Sequence, residues 1–459
     1  MKHMKCHVRF NVNELARLAA EAVGAKSCIS TLKYPDGMYN KAMLLTVNSG
    51  TQVVPKVPDP NAGKPHFTTA SEVATMDFEL LFPKVFAWSS KAQENSVRAK
   101  YIIMEKVPGI ELDSVWPRSL DINFLQGIWR LYYAQDLDER TGNELLYADA
   151  NGADVTDANF AIGPSTGRKL NDNGRATINF DTGPWETLEE YHTAIGLREI
   201  ACIGQLSRLP KSPITLCGPG TYQPTRERKL DALNCYLKLI KFLLPTDRSI
   251  ASSHLWHDDL HVANIFVNPS KHTEIVGLID WQSTDLSPLY YHARRPYIID
   301  YDIPPIYGLE RLQLLKKHRT ARRKRKEAGR GFNPRLYAAL EFQQTTSYLL
   351  LLLARNLLVD GEASYLSQVT ELEATWGTLP SAQNSAYPFS FSTQERQAME
   401  ADVEGASIGE LFPEPGIVSA DRYEEALDAL EQMKDQVIEE FASSEQEREV
   451  WLKEWPFGA

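Results

Sequence analysis

Residues 254–285 read HLWHDDLHVANIFVNPSKHTEIVGLIDWQSTD, and the architecture of the whole chain follows from them. At the centre, His257-Asp258-Asp259-Leu260-His261-Val262-Ala263-Asn264 is a polar run, followed at once by the apolar Ile265-Phe266-Val267. Asn268-Pro269-Ser270-Lys271 reads as a turn, and a second apolar run, Ile275-Val276-Gly277-Leu278-Ile279, ends on Asp280. The expected local structure is a tight loop and then a β-hairpin, whose far strand returns a carboxylate beside the loop. Phosphoryl transfer needs such a set. One carboxylate orients the attacking hydroxyl; an amide oxygen and a second carboxylate hold magnesium against nucleotide phosphates. Asp259, Asn264 and Asp280 are of those types, in that order.

His257-x-Asp259-x-x-x-x-Asn264, with Asp280 after an Ile-Val-Gly-Leu-Ile strand, resembles the aminoglycoside phosphotransferase family of kinase-like enzymes. Four further phrases, at 101–106 (YIIMEK), 162–169 (IGPSTGRK), 255–257 (LWH) and 278–283 (LIDWQS), are similar to one fungal branch of that superfamily. The branch is named for altered inheritance of mitochondria, protein nine. The resemblance covers most of residues 11 to about 390. It implies an α+β, two-lobed protein-kinase-like fold, with a small antiparallel-sheet lobe and a larger, mainly helical lobe. It implies a phosphotransferase using ATP and Mg2+ on a small-molecule hydroxyl, and residence in mitochondria. Asp259 would be the catalytic base, Asn264 and Asp280 the magnesium ligands, and Lys56 the phosphate-facing lysine. Three residues depart from the pattern: Asp258 where many aminoglycoside kinases have glycine, Pro55 before the lysine, and a lone Gly37 in place of a glycine-rich loop.

The 459 residues exceed one ordinary core. The expected division is a small nucleotide-binding lobe over 1–105, a large catalytic and acceptor lobe over 106–391, and an acidic helical appendage over 392–459. Hydrophobic residues at 43% and charged residues at 24% describe a globular chain, and the net charge of −11 argues against a nucleic-acid surface. Five scattered cysteines without a CxxC pair suit a reducing compartment. No apolar run approaches the roughly 18 residues that span a membrane. The opening MKHMKCHVRF is basic and lacks acids, yet is short for a transit peptide.

A first helix is expected over 11–23, with Asn11 as cap and Gly24 past its end. Strands at 28–33, 41–47 and 51–57, joined by short turns, predict an antiparallel sheet. In the kinase-like reading the turn Gly37-Met38-Tyr39-Asn40 covers the phosphates with backbone N–H groups; the same residues also suit a plain hairpin turn. Lys56 would face the α- and β-phosphates, or lie at the surface. Pro55 removes a ladder hydrogen bond and predicts an edge or kinked strand. Glu72, in a helix expected over 69–81, would pair with Lys56, or close a Thr69-x-x-Glu72 capping box. The strand at 101–106 would feed a hinge at 107–109.

In the larger lobe a helix is expected over 121–137. Residues 151–185, rich in Gly, Asn, Asp and Pro, read as an ordered insertion; Gly163 to Arg168 lacks the Lys-Ser/Thr ending of a phosphate loop. Thr187 and Glu190 form a capping box for a helix to 206. Leu230, Leu233, Leu237, Ile240 and Leu244 mark a buried helix face over 226–244, beneath the catalytic loop. Residues 290–307 would wall the acceptor pocket, and 316–326 would be a solvated basic helix face. Helices are also expected over 334–359, 362–376 and 422–433. Two other functions fit: a nucleotide-binding pseudokinase serving as a scaffold, and a metal hydrolase ligated by His257, Asp259 and His261. His257 and His261 otherwise shape the loop through hydrogen bonds.

Overall fold

The structure, a computed structural model, describes residues 8–37, 39–60, 62–78, 83–112, 131–137, 145–148, 154–167, 170–212, 217–257, 260, 262–292, 333–383, 385–409 and 442–455, and singly 428, 431, 434–435, 437–439 and 441. The first lobe contains α1 (Val12–Ala22), β1 (Cys28–Lys33), β2 (Asn40–Val47), β3 (Gln52–Pro58), α2 (Phe67–Phe78), β4 (Val85–Ser89) and β5 (Tyr101–Glu105). Asn11 caps α1 by accepting from the Glu14 N–H. The strands form one antiparallel sheet, in the order β1-β2-β3-β5-β4. The run Tyr101-Ile102-Ile103-Met104 is apolar throughout because β5 is buried on both faces. Tyr101 and Ile103 pack with Leu15 and Ala19 of α1. Ile102 and Met104 point the other way, to Val73 and Met76 of α2.

The edge expectation for β3 is corrected. The strand is interior, between β2 and β5. Its ladder to β2 pairs 40–42 with 58–56 and resumes at Leu45–Val53, so the gap falls opposite Pro55, which has no N–H to donate. The capping-box alternative for Thr69 and Glu72 also falls, because α2 starts at Phe67 and both residues lie inside it.

Past β5 the chain leaves the sheet through Gly109, at φ +99°; a Cβ there would stand 2.5 Å from the Val267 carbonyl oxygen. Glycine alone fits that crossing. β6 (Ile110–Glu111) then joins the 265–278 hairpin as its third strand, so the chain after β5 is stitched directly to that hairpin.

The second lobe continues with β7 (Leu131–Tyr133), β8 (Leu145–Ala148), β9 (Asp154–Thr156), β10 (Phe160–Ile162), α3 (Leu188–Gln205), α4 (Arg226–Leu243), α5 (Arg248–Ala251), β11 (Ser253–Trp256), β12 (Ile265–Asn268), β13 (Lys271–Leu278), β14 (Asp285–Pro288) and α6 (Leu289–His292). After residue 333 come α7 (Pro334–Phe342), α8 (Thr346–Leu353), α9 (Glu362–Thr375), α10 (Thr393–Gly409) and α11 (Glu445–Glu454). α3 carries the expected Thr187–Glu190 capping box. Leu233, Tyr236 and Ile240 of α4 meet Leu350, Tyr365 and Val369 in the helical core. The insertion is tied down by Arg175, whose guanidinium grips the buried Glu199 carboxylate at 3.1 and 2.6 Å.

Three expectations in this lobe are corrected. Residues 131–137 form β7 and a short 3-10 turn, with Tyr133 stacked between Trp88 and Phe160 at 6.2 and 5.5 Å; the earlier part of that proposed helix lies outside the described residues. The single helix expected over 334–359 is two, because Thr345 starts a new one by accepting from the Tyr348 N–H. Tyr290 and Tyr291 belong to the helical core and not to an acceptor wall. Residues 293–307 and 316–326 and most of 422–433 lie outside the described residues. α10 docks on the lobe through Arg228–Asp402 and Arg396–Glu373 ion pairs.

Candidate active site

Lys56 comes from the interior strand β3, Glu72 from α2 and Asp280 from the end of the hairpin. The Lys56 ammonium donates to Glu72 Oε1 at 2.7 Å and to Asp280 Oδ1 at 2.6 Å. Lys56 and Glu72 are each 3% exposed, so the pair is shut off from solvent, whereas the Asp280 side chain keeps 31% of its surface exposed. Burial by itself would pull the lysine down. The charges of Glu72 and Asp280 outweigh it and hold the ammonium above the ordinary lysine range. It is a cation at neutral pH.

The hairpin places Asn264 and Asp280 on adjacent chains. Its last rung is Ile265–Leu278. Just beyond, the Ile279 N–H donates to the Asn264 carbonyl at 3.0 Å. His257 Nε2 donates to the Ile279 carbonyl at 2.8 Å. This is the structural role expected of His257. Asp258, Asp259 and His261 lie outside the described residues.

Asp280 has left-handed backbone geometry, φ +63°, a region that few non-glycine residues occupy and that aspartate tolerates better than most. The next residue, Trp281, is tied to both lobes. Its Nε1–H donates to the Leu278 carbonyl at 3.1 Å, and its ring is packed among Val73, Met76, Ile102 and Met104 of the sheet lobe. A lobe-spanning anchor thus stands directly behind the carboxylate. Sequence reading quoted Asp280-Trp281-Gln282 as a motif and missed this; the signal was a tryptophan in an otherwise polar loop.

Gly37 and Asn40 close the connection between β1 and β2. The Gly37 N–H donates to the Asn40 carbonyl at 3.0 Å, and a Cβ at Gly37 would stand 2.9 Å from Asn40 Oδ1. Two residues on, Ala42 pairs with Lys56, so the turn stands at the end of the ladder that carries the lysine. Met38 lies outside the described residues.

The donor chemistry fits magnesium. The Asn264 amide and the Asp280 carboxylate offer hard oxygens, and Mg2+ commonly takes one or two protein ligands, with phosphate oxygens and waters as the rest. A buried cation beside that pair suits a polyphosphate.

Residues 186–292 match the APH family model, described as the phosphotransferase enzyme family. The chain is 28% identical over 335 residues to a subtelomeric hrmA-associated cluster protein of Aspergillus fumigatus, with 62% of this chain and 63% of that one covered. It is 24% identical over 301 residues to altered inheritance of mitochondria protein 9, mitochondrial, of Yarrowia lipolytica, with 57% and 50% covered. The chain therefore spans less than two thirds of the length of these relatives. Among solved structures, similarity is found to a thermostable mutant of the aminoglycoside phosphotransferase APH(4)-Ia, in a complex with ADP and hygromycin B. There the identity is 13%, the TM-score 0.35, and the coverage 86% of this chain and 99% of that one. The macrolide 2′-phosphotransferase MphH of Brachybacterium faecium gives 11% and a TM-score of 0.25, with 88% and 98% covered. The loop at 257–264, the hairpin and Asp280 thus fall within a phosphotransferase (APH) family segment, in a chain similar to the altered inheritance of mitochondria protein 9 branch.

Proposed function

We propose that the chain transfers the terminal phosphoryl group of ATP, with Mg2+, to a hydroxyl of a small molecule. The observation that carries this is the double ion pair of Lys56, at 2.7 Å to Glu72 and 2.6 Å to Asp280. Withdrawing charges from water costs several kcal/mol per ion. That cost is understandable where a fixed cation and a partly exposed acid are needed for a nucleotide.

In this reading Glu72 holds Lys56 in place, and the ammonium, with three N–H donors, turns its free capacity to the α- and β-phosphates. Gly37 and Asn40 lay their turn over the nucleotide. Asn264 and Asp280 hold Mg2+, which when bound offsets the charge developing on the phosphates. Asp259 orients the acceptor hydroxyl and takes its proton, a contribution of roughly 10²–10⁴-fold. The division into lobes at 1–105 and 106–391 with an appendage at 392–459 is proposed with it. So is mitochondrial residence, after the Yarrowia lipolytica relative, which is named as mitochondrial.

The test is ADP release with Mg-ATP and a metabolite pool as acceptor. Asp259→Asn should lower turnover by at least a hundredfold and leave ATP affinity nearly unchanged; equal turnover in that variant overturns the role of Asp259. The lone Gly37 in the phosphate turn favours the pseudokinase as second reading, and ATP binding without turnover over any acceptor would select it.

A further inference from the structure

Helix α2, which carries Glu72, is buried at every residue from Thr68 to Met76, although Thr68, Thr69, Ser71, Glu72 and Thr75 are polar. A helix covered on one side only keeps a solvated polar face, so α2 is covered on more than one. The five-stranded sheet covers one side, where Val73 and Met76 pack with Ile102 and Met104. A second cover is the two-stranded sheet of β7 and β10, from the second lobe.

This second sheet holds α2 at both ends. At the start, the Phe67 ring stands edge-on to Tyr132, with centroids 5.9 Å apart. His66, the residue before the helix, donates from Nε2 to the carbonyl of Asp136, in the turn after β7, at 3.1 Å. Its Nδ1 stands 2.7 Å from Oγ of Ser90, just past β4. His66 also has left-handed backbone geometry, φ +66°, a region few non-glycine residues occupy. At the far end, Tyr133 OH donates to Asp77 Oδ2 at 2.9 Å. There the Phe78 ring meets Phe160 edge-on at 5.3 Å, and Leu131 and Ile162 pack around them. Phe67 and Phe78 lie about 16 Å apart along the helix axis.

These contacts decide where Glu72 stands. Its bond from Lys56 is 2.7 Å long, and a slide of α2 by about 1 Å would carry it past the range of such a bond. A helix held at one end can pivot. One held at both ends cannot slide or tilt without breaking both sets of contacts. We infer that the β7–β10 pair is a built-in brace that keeps Glu72 on Lys56, with His66 and Tyr133 as positioning residues. The lysine is thereby set in place by the fold itself, before any ligand or partner arrives. Calling Lys56 a nucleotide ligand rests on the phosphotransferase reading; the brace does not.

The test uses the full chain, with Mg-ATP as probe and titration calorimetry as readout. Tyr133→Phe removes one grip and His66→Gly the other, glycine being at ease in the left-handed backbone. Together they should weaken Mg-ATP binding about tenfold. Asp77→Asn, which keeps an acceptor for the phenol, should bind within about twofold of the unmodified protein. In a Glu72→Ala background the same two substitutions should change affinity by less than about twofold, because the brace acts through Glu72. A lowered melting temperature with unchanged Mg-ATP affinity overturns the positioning role, and so does an equal loss in the Glu72→Ala background. If the unmodified protein binds no Mg-ATP, the phosphotransferase reading fails, and amide hydrogen exchange of residues 70–77 without nucleotide decides the brace. Exchange that the two substitutions speed about tenfold upholds it, and unchanged exchange overturns it.

Discussion

His192 is fully buried between two phenols, Tyr236 and Tyr290, each 2.7 Å from a ring nitrogen. Tyr236 OH also donates to the His192 carbonyl at 3.1 Å, which leaves Nδ1–H to donate to Tyr236 and Nε2 to accept from Tyr290 OH. Burial, and then the Arg355 charge, pulls the imidazole from 6.5 to about 3. The native ring therefore stays neutral while an unfolded one takes a proton below about pH 6.5. Stability is lost as pH falls through that window, by about 2 kcal/mol at pH 5 from this group alone. His192→Gln, which can bond to both phenols without titrating, should be less stable than the native protein at pH 7 and lose most of that deficit by pH 5. Urea midpoints at the two pH values check this; a constant gap contradicts it. Lys56 gives a second expectation at the same scale. Lys56→Met strands the buried Glu72 and should cost about 3–5 kcal/mol. Lys56→Met with Glu72→Leu should recover much of it, and a melting-temperature series reads the coupling.

At the scale of elements, periodicity and caps made much of this fold legible. The Thr187–Glu190 box, the α4 stripe and the hairpin around Asn268-Pro269 are local signals, and each element forms where its residues say. What was not legible depends on partners distant in sequence. Pro55 pointed to an edge, but β5 arrives from residue 101 to cover that side of β3. Residues 131–137 have helical spacing, yet Trp88 and Phe160 hold Tyr133 as strand. Thr345 divides an apolar run that pattern alone reads as continuous. Trp281 belongs here too, since its anchoring partners lie on α2 and β5. Trp281→Ala should cost about 3–5 kcal/mol and weaken Mg-ATP affinity by tenfold or more by freeing Asp280. Unchanged nucleotide affinity in a folded Trp281→Ala protein would remove the anchor role.

At the scale of the whole molecule, connections among the described residues that set one lobe against the other include the Gly109 crossing, the Trp281 plug and the Lys56–Asp280 ion pair between residues 224 positions apart. The resemblance pointed to Lys56, Glu72 and Asp280, and the fold brings these three together, because loop, hairpin and small sheet are separately legible modules. A melting scan should therefore show both lobes gaining stability together when nucleotide binds across the cleft. The most direct measurement is ATP affinity with and without Mg2+ in the native protein and in Asp280→Asn. The expected result is binding that Mg2+ tightens in the native protein and leaves unaltered in the variant; equal tightening in both, or no ATP binding at all, would contradict a nucleotide–metal site at this cleft.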